Sequence, residues 1–164
     1  MDFRITGLSP EPFQPLFGLA DADLARHGAV RCIVDRRPGY PDRIELRDPE
    51  IGESVLLVNF THLPVDTPFR SSYAVYVREG AKVRYDRVNE VPEPLRSRVL
   101  SLRAFDESDM LCDADIVEGR DVETLITRLL AKPQTAYIHA HYAKPGCFAA
   151  RIDRPWGSGS QGPT

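Results

Sequence analysis

Short runs of β-branched, aromatic and other apolar residues, separated by turn residues, dominate this sequence and limit the folds open to it. Such runs are typical of β-strands. The most apolar of them, SVLLVNF at residues 54–60, indicates a central strand. We expect residues 82–85 to pair with 73–77 across the turn at Gly80. Together the runs predict strands at about 3–5, 29–34, 43–46, 54–60, 73–77, 82–85, 99–105, 110–117, 135–142 and 147–152.

One segment, residues 121–131, has the periodicity of an amphipathic helix. We expect Asp121 to cap its first turn and Pro133 to end it. Shorter helices are predicted at 21–27 and 92–98, and a single turn at 11–17. The apolar residues that share one face of the main helix are Val122, Leu125, Ile126, Leu129 and Leu130.

The balance of elements indicates the α+β class. Strands outnumber helices and the connections are short, which favours a largely antiparallel sheet with one main helix and two or three short helices. A partly closed barrel is the alternative arrangement. The 164 residues suit one globular domain at 1–153. The Gly/Ser-rich stretch at 154–164 is expected to be a flexible tail.

Composition excludes several classes of partner. With a net charge of −3 and no basic segment, the chain is not typical of nucleic-acid-binding proteins. No apolar stretch is long enough to span a membrane, and the first residues do not resemble a signal peptide. Three cysteines without paired spacing argue against a disulfide framework and favour the cytoplasm. We therefore expect a small molecule as the partner, bound by a monomer or homodimer.

Two histidines at alternate positions of a predicted strand are the strongest chemical feature of the sequence. In the run YIHAHY, the side chains of Tyr137, His139 and His141 point to the same face. Two imidazoles placed in this way can share one metal ion, and neutral imidazole suits zinc, iron, copper or nickel. The turn at 144–146 returns the chain, so we expect Cys147 close to His141.

A metal centre requires at least one further ligand. Candidates are His62, Cys147 and the acidic pair Asp113 and Asp115, which share one face of the predicted strand at 110–117. This acidic face meets the histidine face only if the two strands are neighbours. The sequence leaves the cofactor open, with a divalent transition metal as the candidate.

The same segment also admits interpretations without a metal. An imidazolium beside Cys147 would activate the thiol as a nucleophile, which gives the catalytic set His139, His141 and Cys147. Asp113 or Asp115 would then orient the imidazole. Alternatively, the two histidines are hydrogen-bonded structural residues and Cys147 is packed beside a turn. A lone pair of alternating histidines does not decide between these possibilities.

A polar loop between two predicted strands is a second candidate site. It places His62 at one end and Arg70, Ser72 and Tyr73 at the other. Loops on a rigid sheet often carry binding groups, and arginine binds planar anions through two hydrogen bonds. These residues predict a site for an anion or a carboxylate. The alternative is a polar loop whose serine and threonine hydroxyls only close turns.

Several segments together resemble a known family. They are YAVYVREGA at 73–81, SLRAFD at 101–106, DADIVEG at 113–119, and YIHAH followed by GCFAAR at 137–151. These segments resemble the bacterial "domain of unknown function 1203" family over about residues 3–153. The resemblance implies a bacterial, single-domain protein and no established activity. In that family a cysteine follows the Gly-aromatic-Pro turn, whereas this chain has Asp42, which argues against a chemistry shared by two cysteines.

The sequence therefore favours a domain that handles a small molecule. One hypothesis is a small enzyme with its site at His139, His141 and Cys147. The other is a non-catalytic domain that binds a ligand or another protein.

Overall fold

The computed structural model describes residues 1–155, which form two antiparallel sheets and three α-helices. The predicted α+β class is confirmed. The helices are α1 (Asp21–Arg26), α2 (Glu93–Arg96) and α3 (Val122–Leu130), and 3-10 turns lie at Gln14–Leu16 and Gly119–Asp121. The strands are β1 (Arg4–Thr6), β2 (Ala29–Ile33), β3 (Ser54–Leu63), β4 (Ser71–Arg78), β5 (Asp86–Val88), β6 (Val99–Phe105), β7 (Leu111–Glu118), β8 (Tyr137–Tyr142) and β9 (Phe148–Asp153).

The strand order places β8 in the interior of the larger sheet. That sheet has six strands in the order β5-β1-β9-β8-β6-β7, and the smaller sheet has the order β2-β3-β4. Neither sheet closes into a barrel within the described residues. All six residues of β8 are buried because strands flank it on both sides and other elements cover both faces. The strand that carries His139 and His141 is therefore held rigidly.

Helix α3 covers one face of the larger sheet, as its apolar periodicity predicts. Its buried residues pack against Leu102 of β6 and Ile138 and Ala140 of β8. Each fully buried leucine or isoleucine side chain contributes about 1.5–3 kcal/mol. Asp121 is the N-cap residue, but its side chain makes no capping hydrogen bond. At the other end, Arg154 donates hydrogen bonds to main-chain oxygens of residues 130, 132 and 135.

Two predicted strands, at 43–46 and 82–85, are not strands in the structure, where another segment occupies the edge of β4. Asp42 forms a parallel bridge with Tyr76 of β4, which leaves no room there for residues 82–85. The Asp42 carboxylate accepts hydrogen bonds from the main-chain N–H groups of Ile44, Glu45 and Arg78. These bonds fix residues 43–45 as a turn. The strand after this region is β5, which pairs with β1 rather than β4.

The end of β3 connects the smaller sheet to the larger one. Leu63 packs with Phe105 of β6 and Tyr137 of β8 in a small apolar cluster. This contact places His62, the preceding residue, against the face of the larger sheet opposite α3. The meeting of the two sheets thus creates the candidate site.

The tail predicted at 154–164 lies outside the described residues, apart from Arg154 and Pro155. Among residues 1–155, no helix is both long enough and apolar enough to cross a membrane.

Candidate functional site

Three of the four histidines meet between the two sheets. We call His62, His139 and His141 the histidine cluster. The ring centroid of His62 lies 5.2 Å from that of His141 and 6.2 Å from that of His139, and the His139–His141 distance is 6.5 Å. Phe148 of β9 stacks on His62 at 5.2 Å and lies 4.9 Å from His139. The cluster therefore surrounds an aromatic ring rather than an open space.

Local backbone geometry explains why these side chains meet. His139 and His141 alternate along β8 and so point to the same face. The pairing of β3 with β4 shifts register between Thr61 and Leu63, so His62 is the additional residue of a β-bulge. Bulges turn a side chain away from the regular alternation of a strand. His62 is thereby directed at the larger sheet.

The histidine cluster is neutral near pH 7. Burial is the main cause that lowers the pKa of each of the three imidazoles, and the nearby Arg103 lowers each pKa further. The pKa of His141 falls to about 4, and that of His139 lies well below its ordinary value. Neutral imidazoles offer one N–H donor and one acceptor nitrogen each.

The hydrogen bonds of the cluster are incomplete. His141 Nδ1 lies 3.0 Å from the Gly146 carbonyl oxygen, which can only accept, so the neutral ring carries its hydrogen on Nδ1 and a lone pair on Nε2. The Nδ1 atoms of His62 and His139 are buried, and neither has a hydrogen-bond partner among residues 1–155. Most buried polar atoms in proteins have a hydrogen-bond partner, so these two unpaired nitrogens require an explanation.

Arg103 lies beside the cluster and was not singled out by the sequence reasoning. It faces His139 directly across the β6–β8 pairing, on the same side of the sheet. Its only hydrogen bond among residues 1–155 is a long one, 3.4 Å from Nε to Ser101 Oγ. Burial lowers its pKa, and no carboxylate offsets that effect. The sequence of β6 could have pointed to Arg103. Its polar residues Ser101 and Arg103 alternate with the apolar residues Leu100, Leu102 and Ala104, which puts the two sets on opposite faces.

The condition under which the acidic pair could join a metal site, that its strand neighbours β8, is not met. Strand β6 separates β7 from β8, and the register places Asp113 and Asp115 on the helix side, opposite the histidines. Asp113 accepts a hydrogen bond from Lys132 and from the N–H of Ala114. Asp115 likewise accepts from Arg128 at 2.7 Å and from the N–H of Ile116. Both carboxylates are therefore already engaged.

The cluster itself does not have the geometry of a metal centre. Two imidazoles that bind one zinc ion at about 2.0–2.1 Å have ring centroids about 5 Å apart at the tetrahedral angle. His62 and His141 match this separation, but His139 is too far from both. Within residues 1–155, no group of three or more His, Cys, Asp or Glu side chains is arranged to hold a metal ion.

Cys147 lies in a different environment from the histidines. Its Sγ accepts a hydrogen bond from Arg43 Nη2 at 2.8 Å, and no bond to His139 or His141 is formed. Cys147 packs in the apolar core that contains α3, where Tyr142 is a neighbour. The thiol–imidazole pair, one of the alternatives that the sequence leaves open, is therefore not hydrogen-bonded in this structure. The partner Arg43 is buried, and it also donates to the main-chain oxygen of Phe148 at 2.8 Å.

The polar loop residues do not form a site together with His62. Ser72 and Tyr73 are consecutive in β4 and therefore point to opposite faces of the smaller sheet. Ser72 Oγ forms a hydrogen bond with Thr61 Oγ1, which matches the expected structural role of hydroxyls in this region. Arg70 is exposed in the turn before β4.

Two open depressions on the surface lie away from the histidine cluster. One is beside Glu45 and Arg78, and the other lies between β7 and α3, beside Asp115 and Arg128. In each, the acidic and basic side chains are hydrogen-bonded to each other, at 2.6 and 2.7 Å. These charges are already paired, and Lys82, which also lines the first depression, is exposed to solvent.

Comparison with known proteins identifies the class to which this α+β chain with its histidine cluster belongs. A family model described as "Protein of unknown function (DUF1203)" matches residues 39–154. The chain belongs to this family, which confirms the resemblance seen in the sequence. Searches of curated proteins and of solved structures gave no match.

Proposed function

We propose that this protein binds a small anionic molecule at Arg103 and the adjacent histidine cluster. The observation that carries the proposal is a half-buried guanidinium without a carboxylate partner among residues 1–155. Removing a charged group from water costs free energy unless another charge or hydrogen bonds compensate it. A bound anion would supply that compensation.

The surroundings of Arg103 support this assignment. Within the described part of the chain, His62 and His139 each have a buried Nδ1 atom without a hydrogen-bond partner, so both nitrogens retain a hydrogen bond that a ligand could satisfy. His62 and Ser101 are half-buried, which leaves an approach from solvent. Arg151, the nearest other arginine across β8, is already paired with Asp153 at 2.9 Å. Arg43, whose charge also acts on His141, is buried and donates to neutral groups of Pro41, Cys147 and Phe148. Among residues 1–155, Arg103 is therefore the partly exposed positive charge beside the cluster that has no carboxylate partner.

A binding function is favoured over the catalytic set His139, His141 and Cys147. That set requires the thiol near an imidazole, whereas Cys147 bonds to Arg43 within the apolar core. The anion site requires no group that the structure places elsewhere.

Isothermal titration and thermal unfolding with acetate, benzoate and inorganic phosphate test the proposal, at pH 7 and low ionic strength. We expect at least one of these anions to raise the unfolding temperature saturably, because binding to the folded state alone stabilises it. Arg103→Gln should abolish the shift. Arg84→Gln, which removes an exposed arginine from the connection before β5, is the matched control and should leave the shift unchanged.

The stability of the Arg103→Gln variant provides a second measurement, which needs no ligand. If Arg103 serves a ligand rather than the fold, Arg103→Gln without ligand should be no less stable than the wild-type protein. The proposal is wrong if no anion shifts the unfolding temperature, or if Arg103→Gln and wild type respond equally.

A further inference from the structure

The charge available at the anion site limits the charge of its ligand. Arg103 supplies one positive charge that a ligand can contact, while the ion pair of Arg151 with Asp153 has no net charge. The charge of Arg43 also acts on His141, but Arg43 is buried and its donors are bonded to Pro41, Cys147 and Phe148. Burial keeps His141 neutral by lowering its pKa, and the Gly146 carbonyl fixes the ring hydrogen on Nδ1. A dianion would leave one negative charge uncompensated in a half-buried place, which is costly.

The geometry of Arg103 limits the shape of the ligand. Neither terminal nitrogen of its guanidinium makes a hydrogen bond within residues 1–155, because the only bond is from Nε to Ser101. The two terminal N–H groups form a planar fork that matches the two oxygens of a carboxylate.

Apolar side chains adjoin Arg103 on the open side of the sheet. Ala114 of β7 lies directly opposite Arg103 and is exposed. Ile116 lies opposite Ser101, on the same face, and 66% of its surface is accessible. Diagonal neighbours across strands are about 7–8 Å apart, so a ligand that is held at Arg103 can reach Ile116. The acidic residues Asp113 and Asp115 point to the other face.

We infer that the ligand is a monocarboxylate with an apolar body, its carboxylate on the Arg103 fork and its body on Ala114 and Ile116. This inference rests on the proposed anion site and specifies the class of molecule that occupies it. The histidine cluster supplies neutral hydrogen-bonding groups at the edge of the carboxylate.

Titration calorimetry with a matched set of probes tests the inference. The probes are hexanoate, acetate, the neutral isostere hexanamide, the six-carbon dicarboxylate adipate, and inorganic phosphate. We expect hexanoate to bind about tenfold more tightly than acetate, which is the effect of burying about two methylene groups. Hexanamide should not bind, and adipate and phosphate should bind at least about tenfold more weakly than hexanoate because of their second charge.

Two variants locate the contacts. Arg103→Gln should abolish the binding of hexanoate and acetate alike, whereas Ile116→Ser should weaken hexanoate about tenfold and leave acetate unchanged. Ile33→Ser, which changes an equally exposed isoleucine in β2, is the control for Ile116→Ser.

The outcomes separate the two proposals. Phosphate or adipate binding as tightly as hexanoate, in an Arg103-dependent manner, overturns the monocarboxylate and keeps the anion site. Equal affinity for hexanoate and acetate overturns the apolar contact. If none of the anions binds, the anion site itself is refuted.

Discussion

Burial of neutral His141 makes the stability of this protein depend on pH, and a single substitution can remove the contribution of this residue. The ordinary pKa of histidine is 6.5, and that of His141 in the folded protein is about 4. Between these values the unfolded chain binds a proton that the folded chain does not bind. Unfolding is therefore favoured as the pH falls from 6.5 towards 4.

The size of the effect follows from the difference between the two pKa values. At about 1.36 kcal/mol per pKa unit, the full loss of stability is about 3 kcal/mol, of which about 2–3 kcal/mol is already lost at pH 4.5. The low pKa of the Glu53 carboxylate, about 2, has its main effect below pH 4.5, so it contributes little in this range. Other groups that titrate near this window, such as the buried Asp42 carboxyl with its raised pKa, contribute to wild type and variant alike and cancel when the two are compared.

The substitution His141→Asn tests this reasoning. The asparagine amide can replace Nδ1–H as the donor to the Gly146 carbonyl, but it does not titrate. We expect the decrease in unfolding free energy between pH 7 and 4.5 to be about 2–3 kcal/mol smaller in the variant than in the wild type. Urea unfolding followed by far-ultraviolet circular dichroism measures this difference.

The control is His27→Asn, because His27 is exposed at the end of α1 and lies outside the histidine cluster. It should leave the pH dependence unchanged. The reasoning is refuted if His141→Asn loses as much stability on acidification as the wild type does.

Three further substitutions have defined outcomes in urea unfolding. Gly119→Ala should destabilise by at least about 2 kcal/mol, because a Cβ there would lie 1.8 Å from the Leu95 carbonyl oxygen. Leu129→Ala should cost about 2–5 kcal/mol, since this side chain of α3 is fully buried; a loss below 1 kcal/mol would contradict the packing. The Arg31 hydrogen bonds lower the pKa of Glu79 to about 2, so the contribution of Glu79 is present above pH 4.5 and lost towards pH 2. Glu79→Gln should therefore cost about 1–3 kcal/mol at pH 7 and much less at pH 3.

Local patterns in the sequence predict the elements whose structure is determined locally. The limits of α3 agree with the predicted 121–131 because its apolar residues repeat with helical spacing and Pro133 follows. The alternation of His139 and His141 on β8 is likewise a local property. Both features needed no knowledge of distant residues.

Contacts between distant segments were not predictable in the same way. Cys147 was expected beside His141, but its partner Arg43 is 104 residues away in sequence. The predicted strand at 82–85 is displaced because Asp42 bridges to β4, which no local pattern records. Arg103 was missed for the same reason, since its role as a binding group depends on which strands flank β6. The site depends on strand order, and strand order is a global property.

The carboxylates of Asp113 and Asp115 have a consequence for the behaviour of the protein in concentrated solution. Strand β7 is the outer strand of the larger sheet, and an outer strand with free N–H groups can recruit a strand from another molecule and start aggregation. Here the N–H groups of Ala114 and Ile116 are already bonded to the two carboxylates, which Lys132 and Arg128 hold in place. Residues first considered as metal ligands thus act as a barrier to self-association, and the double variant Asp113→Ala/Asp115→Ala should aggregate at lower concentration than the wild type.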